Sequence, residues 1–418
     1  MFVRRVLAVA LPLAATASLA AAPASQAKPI EMPTLSKAIA QENAIIAAHR
    51  AINPPAPPCP ENGMLPEPFS NCGLPEAPAT TLPYPTPMAY WGGHVQTMPR
   101  VYVVYFGWGE PGAFPAGDKC KAEAISEGAL KASLKCDPEG AGKRIADWVQ
   151  QMGGTEWAGV STQYFQNGPA GEEHITNPSD VLAGIWVDNK DAADLSKTSA
   201  EAAPGAGNTY SDLGAEAARA AKHFHVKDLA DADFVIAQPQ QFSDPNAYEA
   251  GYCAFHDYTE PGVEKGIYDG IAPGVSYTNM PYVLKIDNEG VNECGENAVN
   301  AGPEGKLDGI SIVLGHEIEE TITDPGAEDI VGSGESQQNL GGWYDALDAN
   351  ENGDKCAWVG EPLTGPVPGG PQVLPVPGAM GDIAGNQGTK FAVQSLWSNE
   401  AAAGTGYCAG AGTDLPAP

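Results

Sequence analysis

His316-Glu317-Ile318-Glu319-Glu320 places an imidazole and two carboxylates at positions i, i+1 and i+4. At about 100° per residue those three positions project from one side of a helix. Two donors one turn apart can grip a divalent cation, and a carboxylate beside the first can polarise a water. This is the layout of the H-E-x-x-H zinc helix, with a carboxylate in place of the second imidazole. The chemistry it points to is hydrolysis: His316 and Glu320 bind Zn²⁺, and Glu317 is the catalytic general base. A catalytic zinc needs a third protein ligand and one open position. Asp354 is the first choice, because Gly353 allows a sharp turn and Cys356 can anchor the loop through a disulfide. Glu351, Asp345 and His256 are rivals. His256 reads as a ligand, as a donor to a transition state, or as a satisfied structural residue.

Two carboxylate ligands cancel much of the ion's charge, so the bound water is less acidified than at an all-histidine site. A slow enzyme, or a protein whose metal only holds a loop to a helix, is therefore the alternative. The stretch Asp348-Ala349-Asn350-Glu351-Asn352-Gly353 matches the first half of an EF-hand loop, but position twelve would be Val359. That keeps a looser Ca²⁺ loop open as an addition to zinc and argues against an EF-hand. His223 and His225 read as partners of a helix C-terminus before they read as ligands.

The elements that must position these residues are legible in outline. Ile310, Leu314, Ile318 and Ile322 form an apolar stripe that predicts a helix over 307–323, and Pro325 stops it. Asp324 then sits at the negative end of the helix dipole, where a carboxylate needs a donor or cation, and this suits a supporting role behind the ligands. Runs rich in β-branched and aromatic residues predict strands over 101–106, 181–187, 234–237 and 391–393. Helical spacing predicts further helices over 35–52, 143–152 and 212–224. Strands and helices intermingle, so the fold class is α/β or α+β.

Arg4 and Arg5, the apolar run 6–22 and the small residues up to Ala27 read as a cleavable export signal over 1–27. No later stretch supplies eighteen uninterrupted apolar residues, so no membrane span is expected after cleavage. Twelve prolines between Pro54 and Pro87 mark 28–98 as a Pro-rich N-terminal arm or propeptide, leaving 99–418 as the folded domain. A formal net charge of −30 excludes nucleic acid and anionic membranes as natural partners. Eight cysteines in an exported chain favour disulfides, and their spacing suggests sequential pairs: Cys59/Cys72, Cys120/Cys136, Cys253/Cys294 and Cys356/Cys408.

The ordered set His-Glu-x-x-Glu-x-x-x-Asp-Pro from His316, Trp343-Tyr344, Glu-x-Gly-Asp-x-Cys around Glu351 to Cys356, and Phe391-Ala392-Val393-Gln394-Ser395-Leu396-Trp397-Ser398-Asn399 resembles the phosphate-induced (Exordium-like) family. Val103-Val104-Tyr105 with Phe106-Gly107-Trp108, and the Cys253 to His256 region, are similar to its upstream elements. The resemblance spans about residues 100 to 400. It implies a secreted, zincin-like single domain, of a kind known chiefly from plant cell walls and growth responses, and carries over the positions His316, Glu317, Glu320, Glu351 and Asp354. A peptide or cell-wall substrate follows as the expected partner. The chain departs from the family in having Asp324 where plant members tend to carry Asn, and in a polar stretch over 329–340 that looks inserted.

Overall fold

The structure is a computed structural model that describes residues 30–33, 87–108, 112–115, 137, 139–188, 212–243, 247, 252–258, 274–288, 291–292, 294–326, 330–331, 338–339, 341–345, 350–357, 380–401 and 407–411. The expected helix over 35–52 and the pairs Cys59/Cys72 and Cys120/Cys136 lie outside the described residues.

A six-stranded mixed sheet organises the chain. Its strands are β1 (Ile30–Pro33), β2 (Arg100–Phe106), β3 (Leu182–Asp188), β4 (Ala232–Ala237), β5 (Tyr252–Tyr258) and β6 (Ser276–Met280), in the spatial order β1-β5-β6-β4-β2-β3. β2 runs parallel to β3 and β4, and β4 parallel to β6. β5 is antiparallel to β6, and β1 in turn pairs antiparallel with β5. Every residue of β4 is buried, as expected of a strand covered on both faces.

The two coverings follow from the alternation of side chains along β2. Tyr105 points to one face, where its hydroxyl donates to the Gly142 carbonyl of α1 (Ala141–Met152) at 2.6 Å. Its neighbours Tyr102 and Phe106, of opposite parity, point to α2 (Asp212–His223): the Arg219 guanidinium lies 5.4 Å from the Phe106 ring centroid, and Phe224 packs on Tyr102 at 4.8 Å. His223, at the end of α2, stacks on Trp186 at 4.2 Å. The mixed α and β arrangement agrees with the fold class read from the sequence.

α3 (Asp308–Thr323) shares its face of the sheet with α1 and packs against β5 and β6. The hairpin of β7 (Met380–Ala384) and β8 (Lys390–Gln394) covers it further, with Ser311 Oγ donating to the Ala392 carbonyl at 2.6 Å. All sixteen residues of α3 are consequently buried, including those off the apolar stripe. Gly315 is what permits the tight approach here, because a Cβ on it would lie 3.0 Å from the Trp157 ring and 3.2 Å from Trp148. Asp308 receives the Val299 and Asn300 amides at 3.0 and 2.6 Å and so ties the helix start to the preceding loop. The polar stretch 329–340 contributes a short hairpin, with Ile330–Val331 paired to Gln338–Asn339.

Candidate metal centre

Three segments bring the candidate residues together. α3 supplies His316, Glu317 and Glu320, and its all-round burial leaves each of them without solvent exposure. β5 supplies His256, on the sheet face toward α3, as its register partner Thr278 shows by approaching Thr321 of α3 at 3.5 Å. The loop over 350–357 supplies Glu351, fully buried, and Asp354, whose side chain is 9% exposed. The end of α3 supplies Asp324, whose Oδ1 accepts the Gly342 amide at 2.6 Å, the donor that a carboxylate at a helix C-terminus requires.

The distances group these donors tightly. His316 Nε2 lies 3.0 Å from Glu320 Oε1 and 3.6 Å from Asp354 Oδ1. His256 Nδ1 lies 3.6 Å from Glu317 Oε2 and 3.7 Å from Glu320 Oε2, while its Nε2 lies 3.6 Å from Glu351 Oε1 and 3.2 Å from the Asp324 carbonyl oxygen. Donor atoms of His316, Glu317 and Glu320 fall within 4.8 Å of one another, and so do those of His256, Glu320 and Glu351. Among the described residues no hydrogen bond reaches either ring nitrogen of His316, Nδ1 of His256, or Oε2 of Glu320. Polar groups buried in that state are costly unless something else compensates them, and a cation is the compensation that imidazole lone pairs and carboxylates share.

Burial dominates the proton equilibria. Desolvation pushes Glu320 up to about 7, against the lowering influence of His256 and of the Asp354 amide, which donates to Glu320 Oε1 at 2.8 Å. Asp354 is likewise raised to about 7, by desolvation first and by the neighbouring Glu320 second. Carboxyls so raised favour either a proton or a bound cation over bare charge.

The loop is held from beneath. Asn352 carbonyl accepts the Trp397 amide at 2.7 Å, and Gly353 carbonyl accepts Gln394 Nε2 at 2.8 Å. Asn352 Nδ2 reaches Ser161 Oγ at 3.3 Å, and Ser161 Oγ donates to Glu319 Oε2 at 2.5 Å. A disulfide joins Cys356 to Cys408, and another joins Cys253, three residues before His256, to Cys294. Both match the pairing expected from spacing. Gly353 has ordinary helical dihedrals, φ −77° and ψ −48°. It is small because of its neighbours: a Cβ would lie 2.8 Å from Glu320 Oε1 and from His316 Nδ1, and 2.9 Å from His316 Cγ.

His316, Glu317, Glu320 and Asp354 thus stand together, and of the rivals His256 and Glu351 join them. The Asp345 side chain lies outside the described residues. A solvated, merely acidic helix face is excluded by the burial of α3. Glu319 is what spacing missed: at i+3 from His316 it falls away from the ligand face, yet it is buried, and burial raises it to about 8 while Ser161 opposes the rise. The repeated acid in Glu319-Glu320 was its only trace, and nothing local marks Ser161. No family model, curated protein or solved structure matches the chain.

Proposed function

We propose that the protein is an exported, zinc-dependent hydrolase acting on peptide bonds, built on a zincin-like domain. The observation that carries this reading is the fully buried His316, with no hydrogen bond at either ring nitrogen among the described residues and two carboxylate oxygens 3.0 and 3.6 Å from Nε2. Ligands about 2.0–2.2 Å from a tetrahedral zinc lie about 3.3–3.6 Å from one another; the His316–Asp354 separation of 3.6 Å falls in that range and the His316–Glu320 separation of 3.0 Å is shorter, so a bound ion would spread that pair slightly. Zinc held there would polarise a carbonyl and lower the pKa of a water. Glu317, next to His316 on the same face, takes the proton from the attacking water and returns it to the leaving amine. Glu351 and the Ser161, Asn352 and Gln394 contacts fix the loop, so that Asp354 is presented without reorganisation.

Further support comes from the Exordium-like resemblance of the motif set and from the two disulfides in a chain with a signal-like start. One observation favours a second reading. His316, Glu317, Glu320 and Glu351 are all without solvent exposure, which suits a closed, non-catalytic metal in a cell-wall or signalling protein.

Glu317→Gln separates the two. The enzyme reading expects the variant to keep its zinc while hydrolysis of a mixed peptide library falls at least about 100-fold. Wild-type protein that carries zinc but leaves the library intact would establish the structural reading instead. Less than about half an equivalent of zinc after gentle purification would refute both. Stability that follows calcium and survives a zinc-selective chelator would point to Ca²⁺.

A further inference from the structure

We infer that the centre holds two divalent cations, with Glu320 bridging them. This rests on the metal-dependent reading above and extends it from one ion to two. The two oxygens of Glu320 face different histidines: Oε1 is 3.0 Å from His316 Nε2, and Oε2 is 3.7 Å from His256 Nδ1. The donor atoms divide accordingly into two groups that share Glu320, one with His316 and with Glu317, which stays the general base beside that ion, the other with His256 and Glu351. A carboxylate presented in this way is the usual bridge between ions about 3.5–4 Å apart.

The tautomer of His256 supports a ligand role. Its Nε2 lies 3.2 Å from the Asp324 carbonyl oxygen, which can only accept, so Nε2 carries the proton and Nδ1 is turned to Glu317 and Glu320, while Glu351 Oε1 stands beside the ring 3.6 Å from Nε2. Backbone carbonyl groups orient metal-binding histidines in the same manner. The separation from Nδ1 to Glu320 Oε2, 3.7 Å, exceeds the about 2.7–2.9 Å of a charge-assisted hydrogen bond. It is close to the spacing of two donors around one cation, whose ligands lie about 2.0–2.2 Å from it. His256 Nδ1 and Glu320 Oε2, both on fully buried residues, receive no hydrogen bond among the described residues.

Charge agrees with the count, since two divalent ions bring four positive charges to the carboxylates of Glu317, Glu320, Glu351 and Asp354. The second ion also gives Asp324 its function: its carbonyl sets the ring of His256, and its carboxylate is held by Gly342 rather than by the metal.

The test is metal stoichiometry of the full-length protein loaded with zinc and dialysed, measured by elemental analysis. Wild type should hold two equivalents, and both His256→Ala and Glu351→Gln should hold one. Glu351→Gln is nearly isosteric and covers the case in which His256→Ala fails to fold. Cobalt offers an independent readout: two bridged Co²⁺ ions couple magnetically and attenuate the paramagnetic signal, and either variant should restore the signal of a lone ion. A wild type that saturates at one equivalent overturns the second ion and leaves the hydrolase reading standing, whereas no bound zinc ends both. Two equivalents retained in both variants would likewise overturn the assignment, by placing the second ion elsewhere.

Discussion

Replacing Gly353 by alanine isolates the contribution of loop position to metal binding. The backbone there, φ −77° and ψ −48°, accommodates any L-residue, so the added methyl acts through space alone. It would meet Glu320 Oε1 and His316 Nδ1 at 2.8 Å and His316 Cγ at 2.9 Å, where ordinary contact begins at 3.4 Å. The loop or the ligands must therefore part by about 0.5 Å. His316 cannot yield easily, since α3 is buried on every side, and Glu320 Oε1 is tied to the Asp354 amide at 2.8 Å. Overpacking of this kind costs about 1–3 kcal/mol. Expressed at the ligands, that corresponds to about a 5- to 150-fold loss of zinc affinity. Competition with a chromophoric chelator reads the affinity, and thermal unfolding of the metal-free protein reads any general damage. Gly159→Ala is the control, because its methyl would meet only Asn177 Nδ2 at 3.5 Å. A Gly353→Ala protein that binds zinc within about twofold of wild type, while the control behaves alike, would refute the claim that the loop and the helix form one site.

Removing the Cys356–Cys408 bridge as a double serine variant frees a loop of 52 residues and should lower stability by up to about 4 kcal/mol in urea unfolding. An unchanged midpoint would show that the bridge is dispensable. Ser161→Ala deletes the donor to Glu319 and the acceptor of Asn352, and should cost about 1–3 kcal/mol in the same assay, with a weakened zinc affinity as the sign that the loop has loosened. Away from the site, burial raises Glu216 to about 8, although its neighbour Arg219 pulls the other way. A carboxyl raised in the folded state binds more protons than it does unfolded, so this group destabilises the fold increasingly from about pH 4.5 to pH 8. Glu216→Gln should match wild type near pH 4 and exceed it at pH 8 to 9, by at most about 5 kcal/mol. Melting curves that stay parallel across that range would contradict the assignment.

The parts of the fold that the residues announced are those governed by local rules. The helix from Asp308 to Thr323 was legible in Ile310, Leu314, Ile318 and Ile322 and in the stop at Pro325, and β2 in its run of valines and tyrosines. Helical spacing also brought His316, Glu317 and Glu320 together; Asp354 joins them, yet not through the sharp turn expected of Gly353, whose dihedrals are ordinary and whose small size instead lets the loop approach His316 and Glu320. Complete burial of α3 was not legible, because periodicity reports only the face that meets the sheet, whereas the β7–β8 hairpin arrives from some seventy residues downstream. For the same reason the sequence left His256 among several roles: its place depends on the register of β5 against β6, a long-range pairing that no local pattern encodes. Glu319 and Ser161, 158 residues apart, meet only in the tertiary fold.

β1 lies along the outer edge of β5, with Ile30 opposite His256 and Glu31 opposite Phe255. An open strand edge offers unpaired amide and carbonyl groups to any extended chain, and in concentrated solution the nearest such chain is another copy. Trimming the protein beyond Pro33 would therefore cost it solubility before it cost it structure, through edge-to-edge aggregation seeded beside the histidine. A start that retains those four residues leaves as the outer edge only a four-residue strand ending in proline, in place of the seven residues of β5.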